Sequence, residues 1–149
     1  MAKWIDATIT DISNENERVK NFWLQPQMEA SITAIPGQFI TFDLPIGEKR
    51  LQRWKSYSIA NFVTDGKIEL CVGKLEGGLG STYLCETVQI GDTLKFKGPD
   101  GMFCLPKNLP STVVMICTGT GLAPFRAMLQ HVLGKNKYNN THFHLIFIE

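Results

Sequence analysis

Two places in this 149-residue chain combine glycines with hydroxyl side chains in a way that suits anion binding. Thr118-Gly119-Thr120-Gly121 follows the apolar run Thr112 to Cys117 and precedes Leu122 to Leu133, which has helical spacing. A glycine turn lets backbone N–H groups approach a ligand closely, and the helix behind it presents unpaired N–H groups and the positive end of its dipole. A dinucleotide pyrophosphate suits such a site. The turn lacks the GxGxxG spacing, and no Lys-Ser/Thr follows the glycines as in a P-loop. Taken alone it is equally a tight strand-to-helix turn with glycines for packing. The second place is Gly77-Gly78-Leu79-Gly80-Ser81-Thr82, which opens a short helical stretch running to Thr87. Gly80 and Ser81 start it, with the Ser81 hydroxyl as the expected N-cap. A capped helix without a ligand is the plainer reading, but capping alone does not require the two glycines in front.

A third group, Lys55-Ser56-Tyr57-Ser58-Ile59-Ala60, carries a cation, an aromatic plate and hydroxyls on one strand. Alternation puts Tyr57 and Ser58 on opposite faces. Four cysteines, at 71, 85, 104 and 117, form no CxxC, so zinc and iron–sulfur ligation are not expected. His142 and His144 share one face of the last strand, but no third ligand is visible and they read as exposed edge residues.

The elements that must hold these groups are short strands through the first hundred residues. They are expected at Lys3 to Ile12, Arg18 to Leu24, Gln38 to Leu44, Ser56 to Asn61, Ile68 to Val72 and Thr93 to Lys97. Pro36-Gly37, Asp65-Gly66 and Gly91-Asp92 mark turns between them. Such spacing predicts an antiparallel barrel or sandwich. After Pro110 the pattern changes. Thr112 to Cys117 reads as a parallel strand buried on both faces. A helix over Leu122 to Leu133, ended by Gly134, and a second strand over Thr141 to Ile148 complete one βαβ unit. The boundary falls near 105–111, dividing the chain into 1–106 and 107–149.

Composition is ordinary for a globular chain, 44% hydrophobic and 19% charged, with net charge +1. Acidic and basic residues are mixed, so neither nucleic acid nor an anionic membrane is an expected partner. The N-terminus lacks the apolar core of a signal peptide, and no apolar run approaches spanning length. Scattered single cysteines fit free thiols in a reducing cytoplasm.

The order and spacing of Lys55–Ala60, Leu70–Lys74, Gly77–Leu84, Gly91-Asp92, Gly98–Phe103 and Cys117–Pro124 resemble the ferredoxin–NADP reductase family over nearly the whole chain. The resemblance implies an antiparallel six-stranded Greek-key FAD-binding barrel followed by part of a Rossmann-like parallel α/β domain. It implies a flavoprotein reductase in which hydride passes from NAD(P)H to N5 of FAD, with FMN the less favoured flavin. Electrons then pass to a carrier such as ferredoxin, to free flavin, or to an oxygenase component. Tyr57 would lie against the isoalloxazine and Ser58 would bond near its N5. Ile59, Cys71, Val72, Gly73 and Lys74 would frame the ring. Gly78, Leu79, Gly80, Ser81 and Thr82 would hold the FAD pyrophosphate. Thr118, Gly119, Thr120, Gly121, Leu122, Ala123 and Pro124 would guide the nicotinamide dinucleotide.

Two departures stand out. The family's Arg-x-Tyr-Ser has Lys55 at the arginine position, which supplies charge without a planar fork. Arg53, two residues earlier, is a candidate to share its task. The chain also stops after one βαβ unit, so NADH and NADPH are not distinguished, and an exposed strand edge is expected at 141–148. An alternative follows from that edge: a non-catalytic flavin-binding or interaction subunit whose second domain is completed by a partner. A flavin-free barrel module is the third reading.

Overall fold

The computed structural model describes residues 3–27, 32–134 and 140–148. Six strands form one sheet: β1 (Ile5–Asn14), β2 (Val19–Pro26), β3 (Phe39–Asp43), β4 (Trp54–Ser58), β5 (Ile68–Gly73) and β6 (Thr93–Asp100). Their spatial order is β4-β3-β6-β1-β2-β5, and every pairing is antiparallel. β6 returns to lie between β1 and β3, a Greek-key crossover. The barrel closes between β4 and β5 through a single bridge, Ile59 to Leu70, and through the Ala60 N–H donating to the Glu69 carbonyl at 2.8 Å.

Alternating apolar residues fill the interior. Ala7, Ile9, Phe22, Leu24, Ile40, Phe42, Ile68, Leu70, Val72, Leu94 and Phe96 belong to one buried cluster. A one-turn helix, α1 (Arg50–Arg53), precedes β4 and was not legible in the sequence. β4 accordingly starts at Trp54 and ends at Ser58, two residues earlier at its start than the pattern predicts. Helix α2 (Leu79–Glu86) plugs one end of the barrel, adding Leu84 and Cys85 to the core.

Beyond residue 111, β7 (Thr112–Thr118) and β8 (His142–Ile148) pair in parallel, Val114 opposite His144 and Ile116 opposite Ile146. Between them run a 3₁₀ turn, Gly119–Gly121, and helix α3 (Leu122–Leu133). α3 ends at Gly134 as expected, but with φ −74° rather than a left-handed cap. The expectation that β7 is buried on both faces is corrected. Met115 and Cys117 are buried, whereas Val114 and Ile116 are 55% and 58% exposed. α3 covers one face of β7, whereas β8 is exposed on both faces, with Leu145 and Phe147 as open as Ile146 and Ile148. No described helix is long and apolar enough to cross a membrane.

Candidate flavin and nucleotide site

Of the three sequence groups, the glycine-led helix α2 lies on the 55–60 segment, and the 118–121 turn lies against the end of β5. Lys55 and Tyr57 pair in register with Phe42 and Ile40 and share their face. Tyr57 lies half-buried against the core, its ring 6.0 Å from that of Phe42. Burial first, and the neighbouring Cys85 second, push its phenol up to about 12, so the hydroxyl stays protonated at neutral pH. Ser58 pairs with Phe39 on the opposite face.

α2 brings its first turn onto Lys55 and Tyr57. A Cβ on Gly80 would stand 2.6 Å from Lys55 Cγ and 3.2 Å from the Tyr57 hydroxyl oxygen. Only glycine permits that approach. The N-cap is Gly78, not Ser81 as the sequence predicts, and no side chain caps the helix. Ser81 lies inside the first turn, where its hydroxyl accepts the Leu75 N–H at 3.0 Å and donates to the Gly78 carbonyl at 3.3 Å. The first intrahelical bond is Thr82 N–H to the Gly78 carbonyl, so the N–H groups of Leu79, Gly80 and Ser81 lack partners within the helix. Gly77, at φ +71°, has open space where a side chain would stand. An uncapped helix start, an open glycine and an adjacent lysine are the donor set a flavin diphosphate needs, and the residues present fit that group.

The remaining candidates divide by face. Ile59 and Val72 turn their side chains into the core, so only their backbones can line a site. Cys71 and Gly73 face outward, toward the α/β unit. A Cβ on Gly73 would sit 3.2 Å from Thr120 Cγ2, which brings the end of β5 and the glycine turn into contact. Burial, then Glu15 and Glu69, raise the Cys71 thiol, with Arg126 acting against them. Lys74 is paired with Glu86 of α2. Gly119 takes φ +52° with nothing within 4 Å of its missing side chain, so the turn is open to a ligand. Thr118, Gly119 and Gly121 are exposed, while Ala123 and Pro124 are buried in the first turn of α3. Proline is tolerated there because the first turn needs no donor.

Arg53 does not share the task of Lys55. It makes a two-pronged bond to Asp43, Nε at 2.9 Å and a terminal nitrogen at 2.7 Å, and is committed to β3. Lys55 Nζ reaches the Leu51 carbonyl at 3.0 Å, a bond that a better anion can displace. His142 and His144 are exposed on β8, and no group of three or more metal-type ligands occurs among the described residues.

Sequence reasoning missed the polar contacts that dock α3 on the barrel. Arg126 forms an ion pair with Glu69 at 2.5 Å and donates to the Ala60 carbonyl at 3.2 Å. Gln130 accepts the Phe62 N–H at 2.8 Å. The only available signal was the parity of Glu69, an acid on the same outward face as Cys71. A cavity of about 300 Å³ lies between the units, lined by Asn21, Ala60, Cys71, Leu122, Ala123 and Arg126 among others.

Comparison with known proteins agrees with this arrangement. Residues 6–104 match the oxidoreductase FAD-binding domain, and residues 115–148 match the oxidoreductase NAD-binding domain. The chain is 28% identical over 126 residues to the toluate 1,2-dioxygenase electron transfer component of Pseudomonas putida, covering 85% of this chain and 36% of that protein. It is 38% identical over 96 residues to ferredoxin–NADP reductase B of Sorangium cellulosum, covering 63% and 38%. Among solved structures, the FAD/NAD-binding domain of nitric oxide dioxygenase from Vibrio cholerae superposes with a TM-score of 0.82 at 23% identity, over 97% of this chain and 63% of that one. Phthalate dioxygenase reductase gives 0.79 at 17% identity, over 97% and 43%. These two show the fold. The chain thus spans well under half the length of either curated relative. By its fold, its glycine cradles and these matches, the chain belongs to the ferredoxin–NADP reductase-like family of FAD- and NAD-binding oxidoreductases.

Proposed function

We propose that this chain holds FAD and receives NAD(P)H within a flavoprotein reductase that passes electrons to a carrier such as ferredoxin or to an oxygenase component. The observation that carries it is the uncapped start of α2, packed through Gly80 onto Lys55 and Tyr57. FAD, when bound, supplies the hydride acceptor and the conversion of a two-electron donor into one-electron deliveries. The chain supplies binding, orientation and exclusion of water. Residues 1–106 hold the flavin, and residues 107–149 begin the nucleotide site.

Within the Gly78–Thr82 turn the N–H groups of Leu79, Gly80 and Ser81 take the pyrophosphate, and Lys55 adds charge beside it. The ring of Tyr57 gives a flat surface for stacking, and its hydroxyl remains a neutral donor. Ser58, Ile59 and Cys71 to Lys74 line the ring, Ile59 and Val72 by backbone alone. Thr118 to Pro124 receive the nicotinamide dinucleotide at the start of α3. Hydride transfer itself needs no side-chain acid or base. The free thiols Cys71, Cys85, Cys104 and Cys117 suit a cytoplasmic setting.

The test is the visible spectrum of the purified chain, followed by identification of the flavin released on denaturation. Released FAD and bleaching by NADH or NADPH support the reading. A colourless chain that refuses added FAD overturns it. The second reading is a flavin-holding subunit that is inert alone. The open face carrying Val114, Ile116, Ile146 and Ile148 favours it. It predicts a yellow chain that neither nucleotide bleaches.

A further inference from the structure

The barrel is least tied where it closes. β4 and β5 share one bridge, at Ile59 and Leu70, and the adjacent bond from the Ala60 N–H to the Glu69 carbonyl; just beyond, the Asn61 side chain accepts the Glu69 N–H at 2.8 Å and donates to the Lys67 carbonyl at 3.0 Å. On either side of that seam stand the two halves of the proposed flavin site: Tyr57 and Ser58 just before it, Cys71 to Gly73 just after it. One side chain from the other unit grips both edges. Arg126 of α3 meets the carboxylate of Glu69 on β5 at 2.5 Å and the carbonyl of Ala60, beyond β4, at 3.2 Å. Glu69 is 2% exposed and pairs with Arg126. The Arg126 side chain is 43% exposed, so only the acid is buried; removing the arginine leaves that carboxylate unpaired, at a cost that water entering the vacated place reduces. One helical turn further on, Gln130 takes the Phe62 N–H at 2.8 Å, and the Phe62 and His131 rings meet at 4.6 Å. The same helix begins at the glycine turn that rests on Gly73 through Thr120.

We infer that Arg126 is a positioning residue: it staples the β4–β5 seam and fixes α3 on it, so that the flavin half and the nucleotide half of the site are held at one separation. It acts through Glu69 and Ala60 and need not touch either cofactor. The effect on catalysis rests on the function proposed above; the stapling does not.

The test is amide hydrogen exchange on the chain as purified, comparing wild type with Arg126→Ala and Arg126→Lys. In Arg126→Ala the Ala60 and Phe62 amides exchange at least about tenfold faster, as local opening requires, while Ile9 of β1 and Phe96 of β6, in the strands opposite the seam, keep their protection. One terminal nitrogen of Arg126 makes both contacts, so Arg126→Lys, which keeps a charged donor on a shorter side chain, retains part of the staple and falls between. Should Arg126→Ala fail to fold, Arg126→Ala with Glu69→Gln removes the stranded charge and gives the same readout. In flavin-loaded protein the Arg126→Ala variant keeps its flavin affinity within about threefold, while bleaching by NAD(P)H slows about 100-fold, the scale of a small misplacement of reacting groups. Unchanged exchange at Ala60 and Phe62, or an equal rise throughout the barrel in the double variant, overturns the inference. A wild type that takes no flavin overturns the functional reading instead and leaves the exchange comparison to decide this one.

Discussion

The barrel and the α/β unit obtain their shape by different means. The barrel's buried cluster runs from Ala7 to Phe96 and includes no residue of β7, β8 or α3. It is closed on itself and needs nothing from the second unit for its core. The α/β unit buries Met115, Cys117, Ala123, Ala127, Met128 and Val132 between β7 and one helix, and leaves the other face of β7 and both faces of β8 open. Its placement depends on specific contacts with the barrel: Thr120 on Gly73, Arg126 on Glu69 and Ala60, Gln130 on Phe62. A site shared by the two therefore has one half fixed by a closed hydrophobic core and one half fixed by a few contacts, polar and apolar, on the outside of that core. The first half is hard to move and the second is easy.

The largest expected effect comes from the barrel core. Phe96 is fully buried, and Phe96→Ala removes its ring from the centre of the cluster. A loss of about 3–5 kcal/mol is expected, enough to threaten the fold. Met115→Ala should cost about 2 kcal/mol, since only one face of β7 is covered. The chain's three tryptophans, Trp4, Trp23 and Trp54, all lie in or beside the barrel, so their fluorescence reports on that unit alone. Urea unfolding followed by fluorescence should show a large shift for Phe96→Ala and a small one for Met115→Ala. Equal shifts would mean that the two units unfold as one and that the comparison is wrong.

Gly37 tests the junction. It sits at φ +105°, and a Cβ there would stand 1.8 Å from the Phe103 carbonyl oxygen and 2.7 Å from Met128 Cε. Backbone strain and overpacking together set the cost of Gly37→Ala at about 3 kcal/mol. The displaced groups belong to the linker and to α3. Loss of α3 dichroism at a lower urea concentration than loss of tryptophan fluorescence is the expected result.

Lys55 and Arg53 give a smaller and more selective contrast. Arg53→Ala removes the bonds to Asp43 and costs about 1 kcal/mol of barrel stability, since the arginine is partly exposed. It should leave flavin affinity unchanged. Lys55→Ala should weaken flavin binding by about 1–2 kcal/mol with little change in stability, and Lys55→Arg should tighten it by restoring a planar fork. Titration of the flavin-free protein with FAD measures all three. A drop in affinity for Arg53→Ala would reassign the phosphate contact.

Legibility in the sequence follows the range of the forces involved. Alternation and turn glycines are local, and they placed all six barrel strands, the glycine turn before α3 and the full span of that helix. The placement of Tyr57 and Ser58 on opposite faces was legible for the same reason. The apolar run of β7 records what the strand can bury, not what covers it, so Val114 and Ile116 came out exposed. Ser81 is a good cap by type, but the chain bends at Gly77, one residue before the helix needs its cap, and the helix starts at Leu79. The Arg53–Asp43 and Arg126–Glu69 pairs join residues far apart in sequence, and charge type alone does not choose among many possible partners.

Tyr57 supplies the smallest effect near neutrality and the clearest sign. Its phenol is pushed up to about 12 in the folded chain, chiefly by burial, from an ordinary value of 10.0. The folded state therefore holds its proton where the unfolded state has released it. The stability this contributes is complete below pH 10 and is lost as the pH rises through 12. At neutral pH both states are protonated and the slope from this group is zero. Tyr57→Phe should consequently leave the pH dependence unchanged up to about pH 9 and flatten the decline above 10, by an amount reduced by the ring's partial exposure. Burial, then Asp92, also raises the Tyr83 phenol, so phenolate absorbance followed through the alkaline range should show Tyr57 and Tyr83 titrating late in wild type and only Tyr83 in the variant. Because α2 covers Tyr57 through Gly80, a late titration that survives removal of the α/β unit's docking by Arg126→Ala would place the cause of the shift within the barrel. A phenol that returns to its ordinary range in that variant would show instead that the barrel half of the site depends on the docked helix.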